Sequence, residues 1–291
     1  MKTYMAFDIG GSFVKYGIVT EQAEIIKQSK TPTPKDLDSL IELIAELTQV
    51  YPEGKIEGLA ISAPGAVSDS GIIYGFSALP YIHGPNVKEL IVEKTGYPVY
   101  MENDANAAGY AEIWNGAGKG MKDVLLVILG TGVGGAVFKD GVIHKGANLH
   151  GGEFGYMLVD GKRTWSSTAA TASLLRRVAE KKQVNVETLS GEEIFEQAEK
   201  GDPACQEAIE DFYRMIALGI YNLQYMYDPE VILIGGGISA REDLVAQVDK
   251  RVDQILKEVE IAKIKPSIEV CQHRQNANLL GAVYGFIHHL K

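Results

Sequence analysis

Twice in this chain an apolar strand runs into a glycine-rich turn and leaves it as a second strand. The first instance is residues 4–8, then Ile9-Gly10-Gly11-Ser12, then residues 14–19, with a third strand over 25–29. The second is residues 123–129, then Gly130-Thr131-Gly132-Val133-Gly134-Gly135, then residues 136–138, a Lys139-Asp140-Gly141 turn and residues 142–144. The two share a pattern, not residue identities. A strand–turn–strand hairpin differs from the strand–turn–helix of a dinucleotide site. Two such hairpins, each opening one half of the chain, predict two related α/β domains.

The rest of the chain fits that plan. Leu37, Leu40, Ile41, Ile44 and Leu47 recur at helical spacing, so residues 37–50 are read as an amphipathic helix. Residues 56–62 are a strand ending in a Pro64-Gly65 turn, 68–85 a loop, 87–95 a short helix and 97–101 a strand. Later helices are expected over 166–180, from the Ser190 cap to 199, from Pro203 to 226, over 244–259 and over 275–288. Strands are expected over 231–234 and 267–271. The glycine-rich residues 115–121 mark a boundary. The domains are expected to be 1–117, joined by a returning C-terminal helix over 276–291, and 118–275.

Composition narrows the function. The formal charge is −10, from 28 Lys plus Arg against 38 Asp plus Glu, which opposes a nucleic-acid partner held by phosphate contacts. Cys205 and Cys271 lie far apart in no metal-like spacing, and read as buried thiols of a reducing compartment. No apolar run reaches membrane-spanning length, and the chain goes straight into a strand. A cytoplasmic protein is expected.

The chemistry concentrates in a few stretches. Glu102-Asn103-Asp104-Ala105-Asn106 sits where a strand feeds a helix, a frequent position for an α/β site. Asp104 is the candidate general base; the plain alternative is a helix cap. At the first turn, the N–H groups of Gly10 and Gly11 with the Ser12 hydroxyl can face a phosphate, and Asp8 can hold a magnesium ion or its water. The plain alternative is an ordinary hairpin. Gly130, Thr131, Gly132 and Gly134 repeat the arrangement. A third turn, Gly235-Gly236-Gly237, offers backbone over which a base and ribose can lie. Residues 146–157 look like a binding loop in which Glu153 can bond two neighbouring hydroxyls, or can simply be solvated. His144 and His150 lack a third ligand, which disfavours a metal there. Together these residues describe phosphoryl transfer, in which positioning and charge compensation matter more than covalent chemistry.

At this level of detail the chain resembles the ROK family of ATP-dependent sugar kinases and related repressors, over essentially its whole length. Asp8-Ile9-Gly10-Gly11-Ser12 with Lys15 is similar to the family's first phosphate motif, and Leu129 to Gly135 to its second. Glu102 to Ala108 resembles the catalytic motif, with Asp104 in the place of the base and Asn103 in that of a sugar ligand. Gly235 to Ser239 looks like the adenosine segment. The resemblance implies an actin-like, ribonuclease-H-like fold, ATP with Mg2+ and a small sugar in a central cleft, and a homodimer. Gly65, Glu153 and Tyr156 join Asn103 and Asp104 on the sugar side. With Met1 seven residues before Asp8, no helix-turn-helix is expected. The family's histidine after Glu-x-Gly is replaced by Tyr156, and residues 160–170 carry no cysteine, so no structural zinc is expected. Members without zinc include β-glucoside kinases and N-acetylmannosamine kinases. A β-glucoside such as cellobiose or gentiobiose, phosphorylated at its 6-hydroxyl, is the preferred substrate. N-acetylmannosamine, glucose and a non-catalytic sugar-binding regulator are the alternatives.

Overall fold

Thr3–Ile9 (β1) alternates two apolar sets. Met5, Phe7 and Ile9 enter one buried cluster, while Asp8 lies on the opposite side. β1 pairs antiparallel with Phe13–Thr20 (β2), which pairs antiparallel with Ile25–Pro32 (β3). After helix Leu37–Gln49 (α1), strand Leu59–Ala63 (β4) returns parallel to β1. The structure described is a computed structural model covering residues 1–50 and 55–290. Ala66–Val67 (β5) forms a short hairpin with Ile73–Tyr74 (β6), and β6 and a 3-10 turn, Pro80–Ile82, lie within the 68–85 stretch expected to be loop. Helix Val87–Thr95 (α2) leads into Val99–Asn103 (β7), parallel to β4, and Asp104–Asn115 (α3) follows. The sheet order is β3-β2-β1-β4-β7.

The same plan recurs. Val124–Leu129 (β8), Val133–Lys139 (β9) and Val142–Ile143 (β10) form an antiparallel meander. Helices Trp165–Ala169 (α4), Thr171–Lys182 (α5), Gly191–Glu199 (α6) and Pro203–Tyr227 (α7) intervene. Val231–Gly235 (β11) then pairs parallel with β8, Leu244–Glu258 (α8) follows, and Ile268–Val270 (β12) pairs parallel with β11. The order β10-β9-β8-β11-β12 repeats the first sheet, strand for strand in direction.

The chain departs from the sequence pattern at two places. Gly134 and Gly135 belong to strand β9, so the second turn is only Gly130 to Gly132. The helix expected over 166–180 is broken at Ala170, whose backbone is extended (φ −74°, ψ 152°). The break has a physical cause. The Ala170 carbonyl accepts from the Ser173 N–H and hydroxyl, and Thr171 N–H donates to Gly130 O at 2.9 Å. Restarting the helix lets its first donor hold the glycine turn.

The chain divides into two units, Met1–Gly120 with Lys145–His150 and Gln272–Lys291, and Met121–His144 with Gly151–Cys271. Residues 145–150 belong to the first unit although the chain on either side belongs to the second. Ala277–His289 (α9) packs on α3, β1, β4 and β7. The expected helical segment ran to Lys291, which lies outside the described residues. A side chain on Gly281 has no room, since an ideal Cβ there would lie 1.6 Å from the Ala107 carbonyl oxygen on α3. Gly281→Ala must part the two helices. A loss of about 2–3 kcal/mol is expected, read as a fall in Tm by thermal denaturation with the secondary structure otherwise kept.

Candidate active site

Strand register builds the site in the first unit. Asp8 stands opposite Ser62 on β4, and Ser62 opposite Glu102 on β7. The pleat puts all three on the face covered by α9, at the C-terminal ends of parallel strands, where α/β proteins place their ligands. The row is polar and buried: Asp8 is 8% exposed, Ser62 0% and Glu102 1%. Asp8 Oδ1 accepts from Ser62 Oγ (3.2 Å) and from Asn278 Nδ2 (2.9 Å), and Lys15 Nζ lies 3.5 Å from Oδ2. Lys15 faces Asp8 because the two are register partners on β1 and β2.

Asn103 ends β7 and caps α3. Its Oδ1 accepts from Ala105 N–H (2.9 Å) and Asn106 N–H (3.1 Å). Its Nδ2 donates to Gly65 O (3.0 Å) and to Asp104 Oδ1 (2.9 Å). Asn103 is thus the cap, and Asp104 is the first helical residue, its carboxylate also accepting from Ala105 N–H at 2.8 Å. A carboxylate in a first helical turn sits at the positive end of the helix dipole. Gly65, Asn103 and Asp104, expected on the sugar side, are therefore joined by direct hydrogen bonds.

The glycine turns are closed by their own backbone. Gly10 N–H donates to Phe13 O (3.0 Å) and Gly130 N–H to Gly132 O (2.9 Å), so neither is directed at a ligand. Each closes its turn. The exposed residues of the turns are Gly11 and Ser12 in the first unit and Thr131 and Gly132 in the second. The third turn adjoins the second. Gly236 has φ +90°, and an ideal Cβ on it would lie 2.2 Å from Leu129 O, immediately before Gly130. Only glycine allows that approach. Gly235, expected in this turn, is the buried last residue of strand β11, so it is the Gly236-Gly237 turn that meets the Gly130 to Gly132 turn at the end of β8.

Glu153 and Tyr156 lie in the second unit. Phe154 between them is buried, with its ring against Gly135 of β9, and both Glu153 and Tyr156 face outward, Tyr156 being 73% exposed. Among the described residues no group of three or more His, Cys, Asp or Glu is placed to hold a metal ion. No described helix is long and apolar enough to cross a membrane.

Three participants have no local signal in the sequence. Asn278 reaches Asp8 from 270 positions away. Lys145 pairs with Glu102 at 2.9 Å. Ser62 reads as one more residue of an apolar strand until the register is known.

The model of the ROK family matches residues 4–288. The chain belongs to the ROK family. A β-glucoside kinase of Listeria monocytogenes is 37% identical over 292 residues, covering 97% of this chain and 96% of that one. A ROK-family protein of Streptococcus pneumoniae, solved in complex with sucrose, superposes with a TM-score of 0.90 at 37% identity over 98% of both chains. Lmo2764 of Listeria monocytogenes, a candidate N-acetylmannosamine kinase, has a TM-score of 0.88 at 35% identity, again over 98% of both chains. The fold is accordingly the two-domain, actin-like fold of ROK-family sugar kinases.

Proposed function

We propose that this ROK-family chain is a β-glucoside kinase, which moves the γ-phosphate of ATP to the 6-hydroxyl of a glucose unit in a disaccharide such as cellobiose or gentiobiose. The chain is an ATP-dependent sugar kinase of its family. The β-glucoside reading is carried by the likeness, over nearly the full length of both chains, to the Listeria β-glucoside kinase.

In this reading Asp104 accepts the proton of the attacking hydroxyl. A bond forms between that oxygen and the γ-phosphorus as the bond to the bridging β,γ-oxygen breaks, and ADP leaves. Asn103 serves in two ways. Its amide orients the Asp104 carboxylate, and its bond to Gly65 O fixes the sugar-side backbone beside it. Glu153 is the proposed partner of two sugar hydroxyls, and Tyr156 offers a hydroxyl where other members have histidine. Thr131, Gly132 and the exposed Gly236-Gly237 turn are the proposed nucleotide contacts of the second unit; Gly11 and Ser12 are those of the first.

Magnesium would come with ATP and, once bound, would compensate phosphate charge. Asp8 suits it. Ser62 and Asn278 fix the carboxylate from one side, and an ion that keeps most of its water and takes phosphate oxygens needs one or two carboxylates. Lys15 Nζ lies 3.5 Å from the other oxygen and would have to yield that oxygen to the ion.

ATP-dependent turnover of glucose, cellobiose, gentiobiose, N-acetylmannosamine and N-acetylglucosamine tests the substrate. The expected order puts kcat/KM for the disaccharides about ten-fold or more above the rest, as contacts to a second sugar ring would supply. Preference for N-acetylmannosamine, in line with the Lmo2764 likeness, would replace the β-glucoside reading and keep the kinase.

A further inference from the structure

Glu102 is a carboxylate the phosphoryl-transfer scheme does not use, yet it is 1% exposed and fully bonded. Its Oε1 accepts from Asn103 N–H (2.8 Å) and from Asn106 Nδ2 (3.0 Å). Its Oε2 accepts from the Tyr100 hydroxyl (3.2 Å) and meets Lys145 Nζ at 2.9 Å. Two of those donors flank Asp104 in sequence, so the Glu102 carboxylate braces the strand-to-helix junction from behind. Lys145, with its side chain 15% exposed, does more than neutralise it. The same ammonium donates to Asp69 Oδ1 (3.0 Å) and to Val67 O (3.3 Å). Val67 belongs to the β5–β6 hairpin, two residues beyond Gly65, whose carbonyl receives Asn103 Nδ2.

We propose that Lys145 is a positioning residue for the transfer step: one ammonium clamps the back of the Asn103–Asp104 junction to the hairpin that carries Gly65. Two walls meet at Asn103, one being the helix start with Asp104 and the other the Gly65 backbone. Lys145 joins them a second time, behind the reacting groups. The charge arrangement supports this. Burial disfavours the ammonium, but Glu102 and Asp69 outweigh that penalty and raise its pKa above the ordinary lysine value. The two carboxylates therefore favour the charged form of the lysine. It is also the first residue of the 145–150 segment, so the clamp fixes that short insert to the first unit.

The inference rests on the role proposed above for Asp104. Lys145→Met alone buries an unpaired Glu102 carboxylate, so a second variant is needed to separate fold from site. In Lys145→Met/Glu102→Gln the glutamine carbonyl can still accept from Asn103 N–H and Asn106 Nδ2, and no buried charge remains. The experiment measures Tm, kcat, and KM for sugar and for ATP in both variants, with the best sugar of the panel. Lys145→Met is expected to lower kcat about ten-fold or more and raise the sugar KM, with the ATP KM within about two-fold, as loss of alignment predicts. The double variant is expected to regain the parent's Tm while its kcat stays about ten-fold low. A double variant with parental kcat would overturn the proposal, because Lys145 would then only neutralise Glu102. One that stays unstable contradicts it as well, since the lysine would then serve folding. Asp104→Asn in parallel separates the readings: if that variant retains turnover the base assignment fails, and if it is inactive while Lys145→Met is normal only the clamp fails.

Discussion

Asp104→Asn should fold normally and lose about 10²–10⁴-fold in kcat, the usual worth of a positioned general base. Asparagine keeps an oxygen at the position that accepts from Asn103 Nδ2 and Ala105 N–H, so the cap region persists. What disappears is a carboxylate able to take a proton from the sugar hydroxyl, along with its favourable charge at the start of α3, worth about 0.3–1 kcal/mol of stability. The prediction is a split between chemistry and binding. Sugar and ATP dissociation constants, measured by calorimetry, should change little while single-turnover transfer becomes slow. A variant within ten-fold of the parent in kcat would remove Asp104 from the base role.

The largest expected loss of stability is at Glu112. This carboxylate is 1% exposed, yet among the described residues no cation lies within ion-pair distance of it. Its partners are backbone donors: Ala117 N–H on Oε2, and Gln272 and His273 N–H on Oε1, each at 2.9 Å. Ala117 lies three residues before the first unit ends at Gly120, and Gln272 is where the chain rejoins it. One side chain thus ties the exit of the chain to its return. Glu112→Ala leaves three donors without their charged acceptor, at about 1–3 kcal/mol for each one left unsatisfied. Water will reach some of them, so a net loss of about 3–5 kcal/mol is expected from equilibrium denaturation, above the usual range for a point substitution. Glu112→Gln, which keeps one acceptor oxygen, should fall between the parent and alanine. A Glu112→Ala protein as stable as the parent would mean the two connections are held elsewhere.

Local chemistry made much of this protein legible. Asn103 and Asp104 announce a capped helix after a strand, and the structure places the Asn103 oxygen on two helix N–H groups. Ser190 and Glu193 form the full capping box their spacing implies, and Pro203 begins the long helix that Asp228 ends in a left-handed conformation. The repeated hairpins correspond to two sheets with one strand order. What was not legible depends on register and on distant partners. The row Asp8–Ser62–Glu102 exists only because β1, β4 and β7 align residue for residue. Asn278 and Lys145 find their partners, and Glu112 finds Gln272 and His273, across tens to hundreds of positions, where no periodicity operates. The break at Ala170 came from the Gly130 carbonyl reaching Thr171 N–H, a tertiary demand that overrides helix propensity in an alanine-rich run. Glycine permits a backbone to approach a phosphate, but the N–H groups of Gly10 and Gly130 are already committed to closing their own turns.

Transfer from ATP to the 6-hydroxyl of a β-glucoside is decided by where the phosphate sits on the product. Incubation with MgATP and cellobiose, followed by phosphorus–proton correlation NMR, should place the new phosphate on C6 of the non-reducing glucose, with one ADP formed per phosphate transferred. Phosphate at another carbon, or ADP formed with no sugar phosphate while N-acetylmannosamine is phosphorylated readily, would contradict the account.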